Sequence, residues 1–322
     1  MRLGVAYYGS YLPWHLKQDL EDIKHCGCDD VLIALQENDF KVFNGKLRFA
    51  AKLAHDIGLK AIANFWGYAR MLGGGRMSHL LVENLDAWQV NRDGRKIGAG
   101  CMNNPYVFNF LVKMVEDIAS FDYDGIFIDE PTKTDCYCKY CKEKFRSEFD
   151  SSLFKASQTE IEEFRSKSVI DFLRKICEAV KDIDKNLETS TCIMPKDKDL
   201  WKDAVKIKSL DYFGTDPYWL LWNQPLSFVT ESTKLVVQLC RRYNKKSLMW
   251  ILCWKVPDGK EKEIYEAALL CAKERPDAIY TWSYKGGLGT YEESDNPHKA
   301  WLNIVNAYRD IRKNFSFRSE HE

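Results

Sequence analysis

Tyr123-Asp124-Gly125-Ile126-Phe127-Ile128-Asp129-Glu130-Pro131 is the stretch from which the rest of the chain can be read. Its apolar run has strand length and strand composition, and two adjacent carboxylates stand where the run stops. Pro131 cannot continue a strand, so the charges belong to a strand end. An unpaired charge is costly in such a place, which makes the pair a candidate for chemistry rather than solvation. Successive strand residues point to opposite sides, so only one of Asp129 and Glu130 is expected to aim directly into whatever the strand end faces.

Seven further segments read like this one. Strand-like runs fall at Leu3–Tyr8, Asp30–Leu35, Lys60–Phe65, Gly125–Asp129, Glu188–Ile193, Tyr212–Thr215, Ser247–Cys253 and Ala278–Trp282. Between them, apolar residues three and four apart predict helices at His15–His25, Lys46–Ile57, Val107–Ser120, Glu160–Lys181, Leu226–Tyr243, Lys260–Lys273 and His298–Arg312. Eight strand–helix units with nearly continuous apolar strands are what a (β/α)8 barrel, buried on both faces of its sheet, requires. A doubly wound open sheet is the structural alternative. Such a barrel typically needs ~250 residues, and the chain has 322. The surplus is assigned to insertions at 66–104 after the third strand, containing Gly73-Gly74-Gly75, and at 131–158 after the fourth. Both follow strand C-termini, the side on which barrel sites are built. The reading is one domain over residues 1–312 with a polar tail at 313–322.

Composition narrows the function classes. Lys+Arg 47 against Asp+Glu 47 gives no net field to draw nucleic acid or anionic lipid. No apolar run is long enough to span a membrane, and the first fifteen residues lack the charged start and cleavage site of a signal peptide. Eleven cysteines with no export signal argue for reduced thiols in a cytoplasmic protein. The insertion after strand 3 carries Met71, Leu72, Met77 and Leu80 and is long enough to reach a neighbour's cleft, so a homo-oligomer is an open expectation.

Aromatic residues recur at the predicted strand ends: Tyr7 and Tyr8, Phe65 and Trp66, Tyr218 and Trp219, Trp254, and Trp282 and Tyr284. Flat rings beside carboxylates suit sugars, whose C–H faces stack on π systems while their hydroxyls need polar partners. The expected carbohydrate contacts are Tyr8, Glu37, Trp66, Tyr218, Trp219, Trp254 and Trp282. In a cleft, a strand-4 carboxyl would have a raised pKa and serve as a general acid. The bland alternative is that Asp129 and Glu130 cap a helix or pair with Lys133. Cys136-x-Cys138-x-x-Cys141 brings three thiols close enough to meet on one ion, and Cys101, at the end of the strand-3 insertion, is the candidate fourth ligand. Four thiolates leave no open position, so such a metal would be structural.

The combination of Cys101 before Asn-Asn-Pro-Tyr, the acidic end of strand 4 and the Cys136–Cys141 motif resembles the family 42 glycoside hydrolases, β-galactosidases of the large clan of retaining barrel glycosidases. The resemblance implies a structural zinc on Cys101, Cys136, Cys138 and Cys141, and a general acid/base at Glu130. Asp129 stands where the family has asparagine. The clan's nucleophile is a glutamate ending strand 7, and here that strand reads Ser247-Leu248-Met249-Trp250-Ile251-Leu252-Cys253-Trp254-Lys255, with no carboxylate before Asp258. Candidates for the second carboxylate are Asp216, in the proline-stopped, aromatic-flanked Thr215-Asp216-Pro217-Tyr218, then Asp129, with Glu37 after strand 2 as a further option. The implied activity is hydrolysis of an O-glycosidic bond with no catalytic cofactor. Two alternatives stand beside it: a carbohydrate-binding barrel without turnover, and an aldolase or phosphosugar enzyme using Lys255 and the Lys285–Gly289 loop.

Overall fold

A computed structural model describes residues 1–10, 12–42, 44–74 and 77–316. Eight parallel strands, Arg2–Tyr7, Asp30–Leu35, Lys60–Phe65, Gly125–Asp129, Glu188–Cys192, Tyr212–Thr215, Lys246–Leu252 and Ala278–Trp282, close into a barrel. Each pairs with its sequence neighbour, and the first pairs with the eighth, so the fold is a (β/α)8 barrel and not an open sheet. The eight expected strands are all present, displaced by at most one residue at their ends.

The reason is local. Strands such as Asp30–Leu35 and Gly125–Asp129 are buried at every position, between the barrel interior and the helical ring, so each is an uninterrupted run. The helix Pro105–Ala119 begins with proline in its first turn and an Asn104 side chain that accepts the Tyr106 N–H. Ser157 and Glu160 form a reciprocal capping box on Gln158–Ile183. Register puts Asp129, Cys192 and Gly214 in one row across strands 4, 5 and 6. Gly214 has no substitute there, because a Cβ would lie 1.9 Å from the Leu248 carbonyl oxygen.

The floor of the barrel is closed by charge. Arg2 grips Asp30 with two guanidinium nitrogens at 2.8 and 2.7 Å, and reaches Glu188 at 2.6 Å and the Tyr212 hydroxyl at 2.8 Å. Tyr280 donates a further hydrogen bond to Asp30 at 2.6 Å. One side chain thus ties the first strand to the second, fifth and sixth.

The strand-3 insertion holds a short helix, His79–Glu83, and an antiparallel hairpin, Trp88–Val90 with Lys96–Gly100, that the sequence pattern did not announce. Its strands are short and partly exposed, so they carry no clean alternation. Met71, Leu72 and Leu80, expected on an exposed loop, are buried, and only Met77 of that set is exposed. The last helix runs from Pro297 to Ser316, past the expected start of the tail at 313; residues 317–322 and Gly75 lie outside the described residues. Among the described residues no helix is long and apolar enough to cross a membrane.

Candidate active site

At the C-terminal mouth of the barrel a cleft of about 370 Å³ is lined by Asp129, Glu130, Asp216 and Glu292 together with Trp66, Trp250, Trp254, Trp282, Tyr218 and Tyr291. Gly73, Gly74 and Cys192 complete it. Its size lies within the range of small-molecule sites. Contrary to the strand alternation, both Asp129 and Glu130 line the cleft. Asp129 is the last strand residue, whereas Glu130 adopts a left-handed φ of 44° that takes it out of the pleat before Pro131. A non-glycine residue in that region persists only where its surroundings hold it, and such residues concentrate at functional sites. Lys133 does not pair with either carboxylate; its ammonium lies 2.9 Å from Asp199 and 3.6 Å from Glu162.

The electrostatics follow from crowding. Burial pushes the Asp129 carboxyl well above its usual range, and the charge of Glu130 adds to the rise, against a long hydrogen bond of 3.4 Å from Asn64. Asp216 is likewise driven well up by burial and then by Glu130. Burial also raises Glu130, opposed by a hydrogen bond from Asp216 and the nearby Lys196, while Glu292 pushes the same way as burial. Asp216 and Glu130 line the same cleft and act on each other's protonation, so the two titrate together. The Cys192 thiol donates to Asp216 Oδ1 at 3.3 Å. Gly73 closes the site from the insertion side: its N–H donates to the Asp129 carbonyl at 3.0 Å, and a Cβ there would meet the Asp129 carboxyl at 2.7 Å.

The aromatic wall is built from two groups of rings. Tyr8 stacks on Trp66 and Trp282 at 5.1 and 5.5 Å, Trp282 meets Trp250 at 6.1 Å, and Tyr218 packs edge-on against Trp254 at 6.4 Å. The Trp250 and Trp254 indole N–H groups are buried without a protein acceptor. Of the rings expected to contact carbohydrate, Trp66, Tyr218, Trp254 and Trp282 line this cleft, while Tyr8 does not line it and stacks on two of them.

Two further expected contacts are elsewhere. Glu37 does not line the cleft; its carboxylate is buried, accepting the Ala69 and Leu80 N–H groups at 2.9 Å each and the Ser78 hydroxyl at 2.8 Å. It bolts the strand-3 insertion to the strand-2 exit. Trp219 turns away as well, buried, with its indole N–H on Glu263 at 2.8 Å. Conversely, Trp250, Tyr291, Glu292 and Cys192 line the cleft and were not singled out. Trp250 and Cys192 were hidden inside strand runs. Glu292 carried a usable signal, since it follows strand 8 and so belongs to the mouth side.

The aldolase alternative finds no support in the placement of its residues. Lys255 is not a cleft-lining residue, pairs with Glu292 at 3.7 Å and lies over the Trp254 ring. Lys285, on the glycine-rich loop, faces the Asp19 carboxylate at 3.5 Å, which disfavours phosphate there.

The four cysteines singled out for a metal do converge. The sulfurs of Cys101, Cys136, Cys138 and Cys141 all lie within 4.8 Å of one another and are buried. Cys101 Sγ is 3.4 Å from Cys141 and 3.5 Å from Cys138. Tyr137, Phe145, Leu153, Ile161 and Phe164 pack around them as a small core separate from that of the barrel. Cys101 ends the strand-3 insertion, and Cys136, Cys138 and Cys141 lie just before and within the first turn of the helix Lys139–Phe149, so the cluster joins the two insertions.

No protein-family model matches the chain, and no curated protein sequence matches it. Solved structures do. A β-galactosidase from the Antarctic haloarchaeon Halorubrum lacusprofundi superposes with a TM-score of 0.76 at 16% identity, covering 97% of this chain and 58% of its own. The β-galactosidase of Bacillus circulans sp. alkalophilus gives 0.75 at 11% identity, covering 97% and 56%. An endo-1,4-beta-mannanase from Rhizomucor miehei gives 0.64 at 13% identity, with 96% and 95% covered. The chain thus spans under three-fifths of the two β-galactosidases. At these identities the likeness establishes the shared barrel, and the neighbours that share it are glycoside hydrolases.

Proposed function

We propose that this protein is a glycoside hydrolase in which Glu130 protonates the departing glycosidic oxygen. The observation that carries the reading is the cleft itself: Glu130 and Asp216 line one tryptophan-walled pocket at the mouth of a barrel. A carboxyl raised by burial still holds its proton at a pH where a solvated one has lost it, which is the requirement for a general acid. Asp216 and Asp129 line the cleft beside Glu130, and crowding three buried carboxyls there favours keeping protons among them. The rings of Trp66, Trp254 and Trp282 offer stacking surfaces for a sugar, and the unpaired indole N–H groups of Trp250 and Trp254 are donors for hydroxyl oxygens.

The test is a panel of 4-nitrophenyl glycosides, including β-D-galactoside, β-D-mannoside and α-L-fucoside, with Glu130→Gln as control. Turnover of at least one glycoside is expected, slowed in the variant and most strongly where the leaving oxygen needs a proton. Turnover that Glu130→Gln leaves unchanged would remove Glu130 from the reaction, and binding of sugars without any turnover would favour the non-catalytic barrel.

The same reading includes a structural zinc on Cys101, Cys136, Cys138 and Cys141. Zinc–sulfur bonds of ~2.3 Å in a tetrahedron place sulfurs ~3.8 Å apart, close to the separations of 3.4 and 3.5 Å found between pairs of these thiols. Asn103 donates to Cys141 Sγ at 3.3 Å, the kind of outer contact that orients a ligand. The metal would fasten the two insertions and take no part in bond cleavage. Metal analysis is expected to find about one zinc per chain, lost on Cys138→Ser with Cys141→Ser. With no disulfide among the described cysteines, a reducing cytoplasm is the fitting compartment.

A further inference from the structure

We infer that Glu292, delivered by the loop after strand 8, is the carboxylate that attacks the anomeric carbon opposite Glu130, an inference that rests on the glycosidase reading. Hydrolysis by two carboxyls needs them on either side of the scissile bond, about 5–5.5 Å apart for direct attack and about 6.5–9.5 Å apart when a water intervenes. Asp216 leaves the barrel from strand 6, two strands round the ring from strand 4, so it stands beside Glu130 and not across the mouth from it. Asp129 is the residue preceding Glu130 and approaches from the same strand end.

Glu292 comes from the other side. In the barrel order, strands 4 and 8 are separated by three strands in either direction, so their exits face each other across the mouth. Glu292 lines the cleft with Glu130, and its charge acts on Glu130. Its backbone is held at both ends: the Lys255 N–H donates to its carbonyl at 3.1 Å, and its own N–H donates to Thr290 Oγ1 at 3.1 Å. Gly287 lets that loop close, since a Cβ there would come 2.9 Å from the Glu292 carbonyl oxygen. The Lys255 ammonium lies 3.7 Å from Glu292 Oε1, so this carboxylate has a cation beside it, whereas among the described residues no cation pairs with Asp129 or Asp216.

The step balances without a co-reactant. A Glu292 oxygen bonds to the anomeric carbon while the bond from that carbon to the leaving oxygen breaks. The electron pair goes to the leaving oxygen, which takes the proton from Glu130. Water then attacks the glycosyl ester and gives a proton back to Glu130, and Glu292 departs as carboxylate. Lys255 is a positioning residue for Glu292.

The deciding experiment uses the full chain and the aryl glycoside it cleaves fastest in the panel above. Glu292→Ala is expected to lose more than about 10³-fold of turnover, and added azide is expected to restore cleavage and yield a glycosyl azide of inverted anomeric configuration. Glu130→Ala with azide is expected to give the retained configuration, and the wild type to release a sugar of retained configuration. Glu292→Gln, of the same shape, serves as the folding control through its melting curve and is expected to lose turnover while staying folded. Full activity in Glu292→Gln, an inverted azide adduct from Asp216→Ala instead, or an inverted wild-type product would overturn the role of Glu292 and leave the glycosidase reading standing. Failure of the wild type to cleave any glycoside would remove the reading and the inference together.

Discussion

The two ends of the barrel hold the same chemical groups in opposite states of compensation. At the floor, Asp30 and Glu188 meet the Arg2 guanidinium in a two-pronged grip, with Tyr212 and Tyr280 completing the shell. At the mouth, Asp129, Glu130 and Asp216 crowd together with no guanidinium among the groups that shift them. Burial lifts the Asp30 carboxyl despite Arg2, so even a good partner offsets only part of the desolvation cost. Asp129 and Asp216 are driven up with no cation in hydrogen-bond reach, opposed only by Asn64 and Cys192 respectively. A buried carboxylate that is paired is architecture, and one left unpaired in a cleft is chemistry held ready at some expense of stability.

The sharpest break of this contrast comes from Glu130→Gln. It should lower turnover on a glycoside with a poor leaving group by about 10²–10⁴-fold and leave the chain at least as stable as before, as urea unfolding will show. At the floor, Arg2→Met should do the reverse. Stranding Asp30 costs about 3–5 kcal/mol, read as a lower urea midpoint, with turnover per folded molecule unchanged. Equal stability losses at the two ends would dissolve the distinction.

A smaller effect sharpens it through pH. The mouth carboxyls have pKa values raised in the folded chain, so the unfolded chain releases those protons first. Their contribution is fully present below the ordinary carboxylate range near ~4 and is lost as pH rises through the raised values. Melting temperature should therefore fall with rising pH over that window, and Asp129→Asn with Asp216→Asn should flatten the fall, by about 1–2 kcal/mol overall. Smallest of all, Lys133→Ala should change stability by less than about 0.5 kcal/mol and leave turnover untouched, because Lys133 serves Asp199 and Glu162 and not the cleft.

Much of this was legible beforehand for one reason. Strand runs, helix periods and the Cys136–Cys141 spacing are short-range patterns, and a barrel buried on both faces of its sheet writes them without interruption. The site was legible where chemistry sits beside its own punctuation: Asp129-Glu130 against Pro131, and Asp216 against Pro217. Glu37 misled because its setting after strand 2 looks the same, yet its oxygens are consumed by Ala69, Ser78 and Leu80 of an insertion folded back upon it.

The chain alone settled the eight-fold rhythm, the acidic strand end and the four thiols, since each is carried by residues that are neighbours or nearly so. Ring closure decided the rest. Closing the sheet brought the strand-8 loop across from strand 4, so that Glu292 faces Glu130 from 162 positions away. It set Asp216 in the same cleft as Glu130 and left Arg2 to neutralise the opposite end. Partnership between charges is a property of distance in space, and only the closed barrel sets those distances.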